Sequence, residues 1–567
     1  MPRGRHISSA KPWSPWREPL PPTGVEGGAA VPSSSYAIGV DFGTSTSLVA
    51  EKEGYDLVDV LPLGRGGLEK WFPSVAALHD GQLIVGEDAD QPQHEPVIRS
   101  IKRAITEGKQ TVQVGPHQVL TDDVVRAILR EIADRSKEAG LPLETDDTLR
   151  LGCPAMWDGG QRQRLLSLAD AAGIPVTDRS LIDEPVAAGV AWLTYRYLRF
   201  SESVQGRLLV FDMGGGTLDV AVLDVVGGPR PEVSVLSSLG IAKAGDDLDN
   251  AVTDDLIHEL RAQGCDVEQL PSQAMSELRR AARAAKVALS TTLDRTIALN
   301  PALFGEARRI RYTRERLEEA FRPQMDTAVE LVWAALRSAR LTEQFAPSPM
   351  ELRQMGRDVL REEVAHILLA GGMSRIPYVE RRLSEEFPGV PIYTDVGVPP
   401  DEAIVAGLAD TIGYDRINLH RPGFDFVLEW DGQRRVLYQA HTPLYEPWQI
   451  QLGRSFLGHE WRSKPNELPT TGHGVLLVRS TDGTPVKLDL GGRTMDGLQV
   501  PFGSHEVEFK IYCDGELYLR DGRGRRYSMR VDRWPVIRGR DYAAKLLLQR
   551  LDELPDPPVP WYLRDDD

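Results

Sequence analysis

Two segments of this chain share one pattern: a hydrophobic strand that ends in aspartate, a glycine turn with a hydroxyl residue, and a second hydrophobic strand. The first is IGVDFGTST at residues 38–46, and the second is LVFDMGGGTLD at residues 209–219. A turn without Cβ atoms lets backbone N–H groups approach an anion closely, and Thr or Ser adds a further donor. An aspartate at the strand end can hold Mg²⁺ through water, since Mg²⁺ takes few direct carboxylates. Two such hairpins predict a two-lobed protein that holds a triphosphate between its lobes.

A third glycine turn, LLAGGMSRIP at residues 368–377, follows another predicted strand. One Asp-x-Gly-Thr turn is a weak signal, because Asp and Gly are common in turns of every kind. Three such turns, each directly after a predicted strand, are together a stronger signal. None of them carries the GxxxxGK[ST] or the GxGxxG pattern, so the sequence favours neither a P-loop protein nor a dinucleotide-binding fold.

The charge balance and the cysteines exclude several classes of protein. Among 567 residues, 66 are Lys or Arg and 83 are Asp or Glu, which gives a formal net charge of −17. This excess of acid argues against nucleic acid or an anionic membrane as a partner, and no apolar run reaches the roughly 20 residues that cross a bilayer. The three cysteines, Cys153, Cys265 and Cys513, fit neither a zinc site nor a disulfide framework. We therefore expect a cytoplasmic protein that binds neither nucleic acid nor a membrane.

The composition and the hydrophobic pattern of the sequence change along the chain. Residues 1–35 are rich in Pro, Gly and Ser and contain no apolar signal-peptide core, which predicts a disordered tail. Residues 36–414 alternate β-type runs with helical stretches, and a polar insertion interrupts them at residues 342–362. An interdomain linker is predicted at residues 415–422.

The region after the linker is almost wholly β in pattern. Across residues 423–537, apolar residues alternate with polar ones, and Asp-Gly pairs begin at Asp514 and Asp521. Asp-Gly between alternating strands is a strong hairpin signal, so an antiparallel β-sandwich is expected. Residues 538–567 are predicted to contain one short helix, from about Asp541 to Leu554, and an acidic Pro-rich tail.

The three turns resemble the phosphate-1, phosphate-2 and adenosine motifs of the actin-like ATPase superfamily. The surrounding sequence is most similar to the DnaK-like seventy-kilodalton heat-shock chaperones. The resemblance implies an α/β fold, with a two-lobed actin-like ATPase domain (a duplicated ribonuclease-H-like fold) followed by an all-β sandwich domain. Further resembling stretches, in the family's order, are SIKR at 100–103, GCPA at 152–155, DEPVAA at 183–188, GDDLDN at 245–250, AKVALS at 285–290 and PDEA at 400–403.

The resemblance also implies a role for individual residues. Lys102 would reach the γ-phosphate and orient the attacking water, while Glu184 and Asp212 would accept its proton. Asp41, Asp212 and Asp219 would organise Mg²⁺, largely through water. The catalytic residues implied are Lys102, Glu184, Asp212 and Thr217. The nucleotide-binding residues implied are Gly43, Thr44, Ser45, Thr46, Gly214, Gly215, Gly216, Thr217, Lys286, Ser290, Gly371, Gly372, Ser374, Arg375 and Asp401.

The chain departs from the family's pattern at several positions. In the adenosine motifs, Arg283 replaces an acidic residue, Val287 replaces a cation, and Met373 replaces a small hydroxyl residue. In the linker, Arg416 and Asn418 replace apolar residues, which predicts weakened coupling between the domains. One predicted helix of about 14 residues stands where the family has a long helical lid.

The resemblance implies a slow ATP hydrolase that uses Mg²⁺, with K⁺ as a further candidate ion. The state of the bound ATP or ADP would control how the β domain binds unfolded peptide or a client protein, and Pro154 and Arg162 would form the relaying hinge. Co-chaperones and a nucleotide-exchange factor are the further partners implied. The alternative is a nucleotide-sensing regulatory or scaffold protein with weak or no ATPase and no refolding activity. A filament-forming protein or a sugar kinase is disfavoured, because neither explains the β region.

Overall fold

The computed structural model describes residues 36–54, 56–67, 69–94, 97–144, 148–177, 180–228, 232–306, 308–341, 349–410, 415–418, 421–445, 457–480, 486–512, 516–533 and 544–550. The tail predicted at residues 1–35 and the acidic end of the chain lie outside these ranges. None of the helices within them is both long enough and apolar enough to pass through a membrane.

The first lobe, lobe I, is built on a mixed sheet. Its elements are β1 Tyr36–Phe42, β2 Thr46–Glu53, β3 Asp59–Val60, β4 Phe72–Pro73, β5 Ala76–His79, β6 Gln82–Val85, α1 Ile101–Thr106, β7 Thr111–Val114, β8 His117–Leu120, α2 Thr121–Glu138, β9 Leu149–Cys153, α3 Gly159–Ala171, β10 Leu181–Asp183 and α4 Glu184–Phe200. The strand order of the sheet is β10-β9-β1-β2-β3, and β4 also pairs with β2.

The second lobe, lobe II, follows in the chain. Its elements are β11 Gln205–Met213, β12 Leu218–Val226, β13 Glu232–Ile241, α5 Gly245–Ala262, α6 Ser272–Leu289, β14 Asp294–Leu299, α7 Pro301–Phe304, β15 Arg308–Thr313, α8 Arg314–Arg340, α9 Pro349–Gln354, α10 Arg357–Arg361, β16 Val364–Ala370, α11 Pro377–Glu386, β17 Ile392–Tyr393, α12 Ala403–Leu408 and β18 Asp415–Asn418. The strand order of its sheet is β17-β16-β11-β12-β13-β18.

The two lobes repeat one pairing pattern. In lobe I, β1 pairs antiparallel with β2 and parallel with β9. In lobe II, β11 pairs antiparallel with β12 and parallel with β16. Each lobe therefore carries its aspartate turn on an equivalent hairpin, as expected for a duplicated fold.

The C-terminal domain consists of two packed sheets. Its strands are β19 Phe424–Trp430, β20 Gln433–Tyr438, β21 Gly458–Arg462, β22 His473–Ser480, β23 Val486–Leu490, β24 Arg493–Met495, β25 Gly497–Pro501, β26 Glu508–Tyr512, β27 Leu517–Arg520, β28 Arg526–Arg533 and β29 Ala544–Arg550. The strand orders are β20-β19-β22-β25 and β21-β26-β27-β28-β29-β23-β24. Phe426 of one sheet packs on Phe509 of the other, with ring centroids 4.9 Å apart. The predicted fold class, a two-lobed α/β domain followed by a β-sandwich, is confirmed.

The helix predicted from about Asp541 to Leu554 is wrong, because residues 544–550 form strand β29. Ala, Lys, Leu, Gln and Arg favour a helix, but intrinsic propensity is a weak preference that tertiary pairing overrides. Strand β29 pairs antiparallel with β28 and parallel with β23, so its backbone groups have partners on both sides.

The insertion predicted at residues 342–362 connects lobe II to the β domain. Its described part forms α9 and α10. Leu352 of α9 is fully buried and, together with Leu341 after α8, belongs to the hydrophobic cluster inside the sandwich. The Tyr445 hydroxyl of the β domain donates a hydrogen bond to the Ser338 carbonyl of α8 at 3.2 Å. The interior of the β domain thus includes residues from lobe II.

Helices α4 and α12 tie the two lobes together. Helix α12 packs on β1, β2 and β9 of lobe I, while α4 packs on β11, β12 and β16 of lobe II. The two helices cross at Gly407, where a Cβ atom would overlap the carbonyl oxygen of Ala187. This crossing therefore requires a glycine.

We expect Gly407→Ala to destabilise the two-lobed domain by about 3 kcal/mol, since overpacking a dense interior costs about 1–3 kcal/mol. Gly356→Ala is the control: a Cβ there has no neighbour within 4 Å among the described residues, and φ is −64°. Urea denaturation followed by circular dichroism measures both variants. Equal unfolding midpoints for the two would contradict the close crossing.

Candidate functional site

The two aspartate turns meet between the lobes. The first turn joins β1 to β2, and the second joins β11 to β12. A Cβ atom on Gly215 would overlap the Ser45 Oγ, so these two turns are in direct contact. The predicted phosphate-binding residues that the two turns bring together are Gly43, Thr44, Ser45, Thr46, Gly214, Gly215, Gly216 and Thr217.

The third turn meets the second one. Gly371 has φ of +78°, a conformation that side chains other than glycine rarely adopt. A Cβ atom there would lie 2.6 Å from Asp212 Oδ1, so the backbone approaches that carboxylate closely. Gly372 and Ser374 follow in a short 3₁₀ turn, and Ser374 is buried. The three glycine turns therefore converge on one place.

Two charged pairs include residues that the resemblance assigns to nucleotide binding. Lys286 on α6 donates to the Gly245 carbonyl at 2.9 Å and pairs with Asp249 at 2.7 Å. Because burial outweighs these contacts, the pKa of Lys286 is lowered. Arg375 Nε donates to Asp401 Oδ1 at 2.7 Å. Ser290 caps the C-terminal end of α6, one turn after Lys286.

The three residues that depart from the family pattern in the adenosine motifs lie in different environments. Met373 is buried in the hydrophobic cluster of lobe II, so its side chain serves packing. Arg283 is half-buried on α6, and Val287 on the same helix is 63% exposed.

A buried ion pair lies close to the first turn. Lys102 of α1 pairs with Glu184, the first residue of α4, and their side chains are 4% and 7% exposed. The Lys102 ammonium is 5.9 Å from the ring centre of Phe42 and 6.0 Å from that of Trp157. Burial alone would lower the pKa of Lys102, but Glu184 and Asp41 outweigh it and raise that pKa. The lysine is therefore held charged and in place.

Three buried aspartates surround this pair. Burial raises the pKa of Asp41 to about 7, against the opposing charge of Lys102. Burial and the charge of Glu184 raise the pKa of Asp219 to about 7, and the same two causes raise the pKa of Asp212 well above its usual range. One lysine cannot balance all of these carboxylates, so burial keeps their pKa values high, and a bound cation would favour their ionised forms.

The donor atoms fit a hydrated Mg²⁺ ion. Asp41 Oδ1 is buried and accepts no hydrogen bond from any described residue. Over the described ranges, no three His, Cys, Asp or Glu side chains are grouped closely enough to coordinate one ion directly. Mg²⁺ keeps several of its waters when it binds phosphates, so water-mediated contact with these aspartates suits it.

The predicted hinge pair lies next to the ion pair. Arg162 on α3 donates from Nη2 to Asp183 Oδ1 at 2.6 Å and from Nε to the Trp157 carbonyl at 3.0 Å. Asp183 precedes Glu184 in the chain, and Pro154 follows β9 directly. A movement of α3 would therefore reach the buried carboxylates.

Sequence reasoning did not foresee two contacts across the cleft. Ser100 of lobe I donates a hydrogen bond to Asp246 of lobe II, and Arg103 pairs with Asp247 at 3.4 Å. Both stretches were recognised only as separate motifs, and nothing in their spacing indicates that they meet. These contacts hold α1 against the start of α5.

The chain matches a family model described as Hsp70 protein over residues 37–413. It is 30% identical to the chaperone protein DnaK of Thermosipho africanus over 385 residues, which cover 66% of this chain and 58% of that relative. It is 32% identical over 384 residues to the DnaK of Methanothermobacter thermautotrophicus, with the same two coverages. The DnaK of Nitrosopumilus maritimus is 29% identical over 389 residues, 66% of this chain and 56% of its own length. The chain thus spans less than two thirds of the length of these relatives. The resemblance seen in the motifs is confirmed, and this chain is a diverged member of the Hsp70 family.

Proposed function

We propose that this chain hydrolyses ATP to ADP and phosphate, and that its nucleotide state controls how the β domain binds an unfolded peptide or a client protein. The observation that carries this proposal is the buried Lys102–Glu184 pair beside two facing glycine turns, with Asp41, Asp212 and Asp219 around it. Phosphoryl transfer needs positioning and charge neutralisation more than covalent chemistry, and this arrangement provides both.

Each group has a part in the reaction. The backbone N–H groups of the two turns bind the β- and γ-phosphates. Lys102 neutralises charge on the γ-phosphate and orients the water whose oxygen attacks phosphorus. The bond from the γ-phosphorus to the β–γ bridging oxygen then breaks, and the water proton passes to Asp212 or Glu184. Mg²⁺, when bound, neutralises the charge that develops on the phosphate oxygens.

Of the two carboxylates, Asp212 is the stronger candidate for accepting the proton. Glu184 is already paired with Lys102, whereas burial and its charged neighbours raise the pKa of Asp212. A base with a raised pKa holds the transferred proton more firmly near neutral pH.

The linker supports coupling between the domains. Strand β18 pairs in parallel with β13, from Asp415 opposite Glu232 to Asn418 opposite Val235. This pairing uses main-chain hydrogen bonds, which do not depend on which side chains the linker carries. Arg416 and Asn418 are thus compatible with a linker that docks through its backbone.

The β domain offers a cavity for part of a peptide. Loops 463–470 and 502–507 line a space of about 290 Å³ that includes Leu468 and Phe502. An apolar side chain of an extended peptide fits such a space, while the main chain supplies hydrogen bonds. Co-chaperones, an exchange factor and K⁺ stay predictions from the resemblance, as does a cytoplasmic location.

The second candidate function is a nucleotide-sensing scaffold without refolding activity. The changed adenosine helix favours it, since Val287 is exposed and Arg283 stands beside it on the same face of α6. The two candidates differ in whether polypeptide accelerates hydrolysis.

We expect Lys102→Ala to slow hydrolysis by roughly 10²-fold or more, with nucleotide binding retained, because a positioned charge is removed from the transition state. Lys109→Ala is the matched control, as this lysine lies seven residues later and its side chain is 58% exposed. Single-turnover hydrolysis and nucleotide titration measure the two effects. An unchanged rate for Lys102→Ala would refute the proposed role.

We also expect an unfolded model polypeptide to accelerate single-turnover hydrolysis of radiolabelled ATP, because the linker strand joins the β domain to the sheet that carries Asp212. A natively folded protein of similar size is the control. Hydrolysis that is indifferent to polypeptide would instead favour the scaffold.

A further inference from the structure

A narrow groove lies where the loop after β2 meets the C-terminal half of α4. It is lined by Leu57 and Val58 of lobe I, by Tyr195 and Leu198 of α4, and by residues 396–398, which precede α12. The centre of a water molecule can occupy about 30 Å³ of this groove, and the empty space is about 370 Å³ when the part open to solvent is included. A groove this narrow suits a flat ring.

The rim of the groove is apolar and open to solvent. Leu57 is 60% exposed, and Phe200 at the end of α4 is 51% exposed. The Phe200 ring contacts the Tyr195 ring edge-on, with centroids 5.7 Å apart, which connects Phe200 to the groove. Exposed apolar residues that are grouped in this way mark an interaction surface.

The groove also contains a polar group that has no partner in the described part of the chain. Thr194 of α4 lines the groove and is 3% exposed. Its hydroxyl makes no hydrogen bond with any described residue. Since a buried hydroxyl without a partner is costly, a ligand that brings a hydrogen-bond donor is favoured there.

The sequence contains a segment that matches this groove. Residues 12–16 read PWSPW and lie outside the described residues. Prolines three residues apart favour the polyproline II conformation, and aromatic-lined grooves bind such segments. With three residues per turn and a rise of about 3.1 Å per residue, Trp13 and Trp16 would fall on one edge, roughly 9 Å apart. Each indole combines a large apolar ring with one N–H donor.

This segment is tethered close to the groove. Tyr36, the first described residue, lies opposite Glu53 in the β1–β2 pairing, and Asp56 of the groove follows three residues later. Trp16 precedes Tyr36 by 20 residues, which span roughly 66–72 Å when extended and about 25 Å on average as a flexible chain. Both lengths exceed the roughly 11 Å that three residues can cover. Trp16 can therefore reach the groove of its own chain.

Charge also favours this occupant. Residues 1–17 include four Lys or Arg and no acidic side chain, in a chain whose net charge is −17. Around the groove, Glu53, Asp56 and Asp59 are exposed, and Asp395 accepts a hydrogen bond from the Tyr195 hydroxyl at 3.3 Å. Arg199 of α4 is exposed there too, so acidic groups predominate. Opposite charges on the two surfaces assist their encounter.

We propose that Trp13 and Trp16 dock in this groove of their own chain. One indole enters beside Tyr195 and Leu198, and the other covers Leu57. Because the groove is built from α4 and from the residues that lead into α12, the docked segment contacts both of the connections that tie the lobes together. The proposal is independent of the proposed function, since docking requires neither nucleotide nor hydrolysis.

Hydrogen exchange of the full chain without nucleotide tests this docking. The amides of residues 56–58 and 396–398 should exchange roughly tenfold faster when Trp13→Ala and Trp16→Ala are combined, as expected for an effective concentration of about 1 mM and a dissociation constant of about 0.1 mM. Val25→Ala, in the same segment but outside the motif, is the control and should exchange as wild type does.

Substitutions in the groove give a second comparison. Leu57→Ser should have the same effect as loss of the two tryptophans, and combining the changes should add little, because they remove the same contact. Leu120→Ser is the matched control, since Leu120 is also an exposed leucine of lobe I, at 53%, and does not line the groove. Exchange at residues 396–398 separates lost docking from a local change in the loop that carries Leu57.

Three results would overturn the proposal. Equal exchange in wild type and in the double tryptophan variant would show that this segment does not cover the groove. Protection that is lost on dilution would show that the segment comes from a second copy of the chain. A peptide of residues 8–20 that fails at 1 mM to restore protection to the double variant would show that the tryptophans act indirectly; the same peptide with both tryptophans replaced by alanine is its control.

Discussion

The grouping of four buried carboxylates around one lysine at the base of the cleft is the feature on which the two-lobed domain depends. One lysine, Lys102, faces the carboxylates of Glu184, Asp41, Asp212 and Asp219, all withdrawn from solvent. Carboxylates kept out of water resist ionisation unless a cation compensates them. A metal–nucleotide complex brings that cation, and the glycine turns bring donors for the phosphates that come with it. In the proposed function, nucleotide binding and hydrolysis both depend on this group of buried carboxylates.

The strand pairing that is repeated in the two lobes positions these groups. Each lobe has an antiparallel hairpin next to a parallel strand, so the two aspartate turns occupy equivalent positions and can face each other. The crossing of α4 and α12 at Gly407 brings the lobes within reach. Small changes in the angle between the lobes therefore act directly on the distance between the turns.

Local patterns allowed much of the site to be predicted, and non-local pairing explains what they missed. The strand, aspartate and glycine turn are adjacent in sequence, so their spacing alone indicated a phosphate site. The contact of Ser100 with Asp246 and that of Arg421 with Met156 join distant residues, which no local pattern reports. At β29, helix-favouring residues form a strand because two neighbouring strands supply hydrogen bonds. In the linker, the side chains did not indicate the pairing of β18 with β13, because the main chain makes that pairing.

The packing of the insertion has a consequence for how the domains separate. Leu341 and Leu352 come from lobe II but lie inside the sandwich, and exposing a buried leucine costs about 1.5–3 kcal/mol. The described contacts between lobe I and the segment after β18 include two hydrogen bonds, from Arg421 to the Met156 carbonyl and from the Gly159 N–H to the Ala440 carbonyl, and a typical hydrogen bond contributes only about 0.5–1.5 kcal/mol net. The β domain should therefore detach from lobe I first and stay on lobe II. A fragment that starts after the linker would lack Leu341 and Leu352, and its hydrophobic interior would therefore contain a cavity.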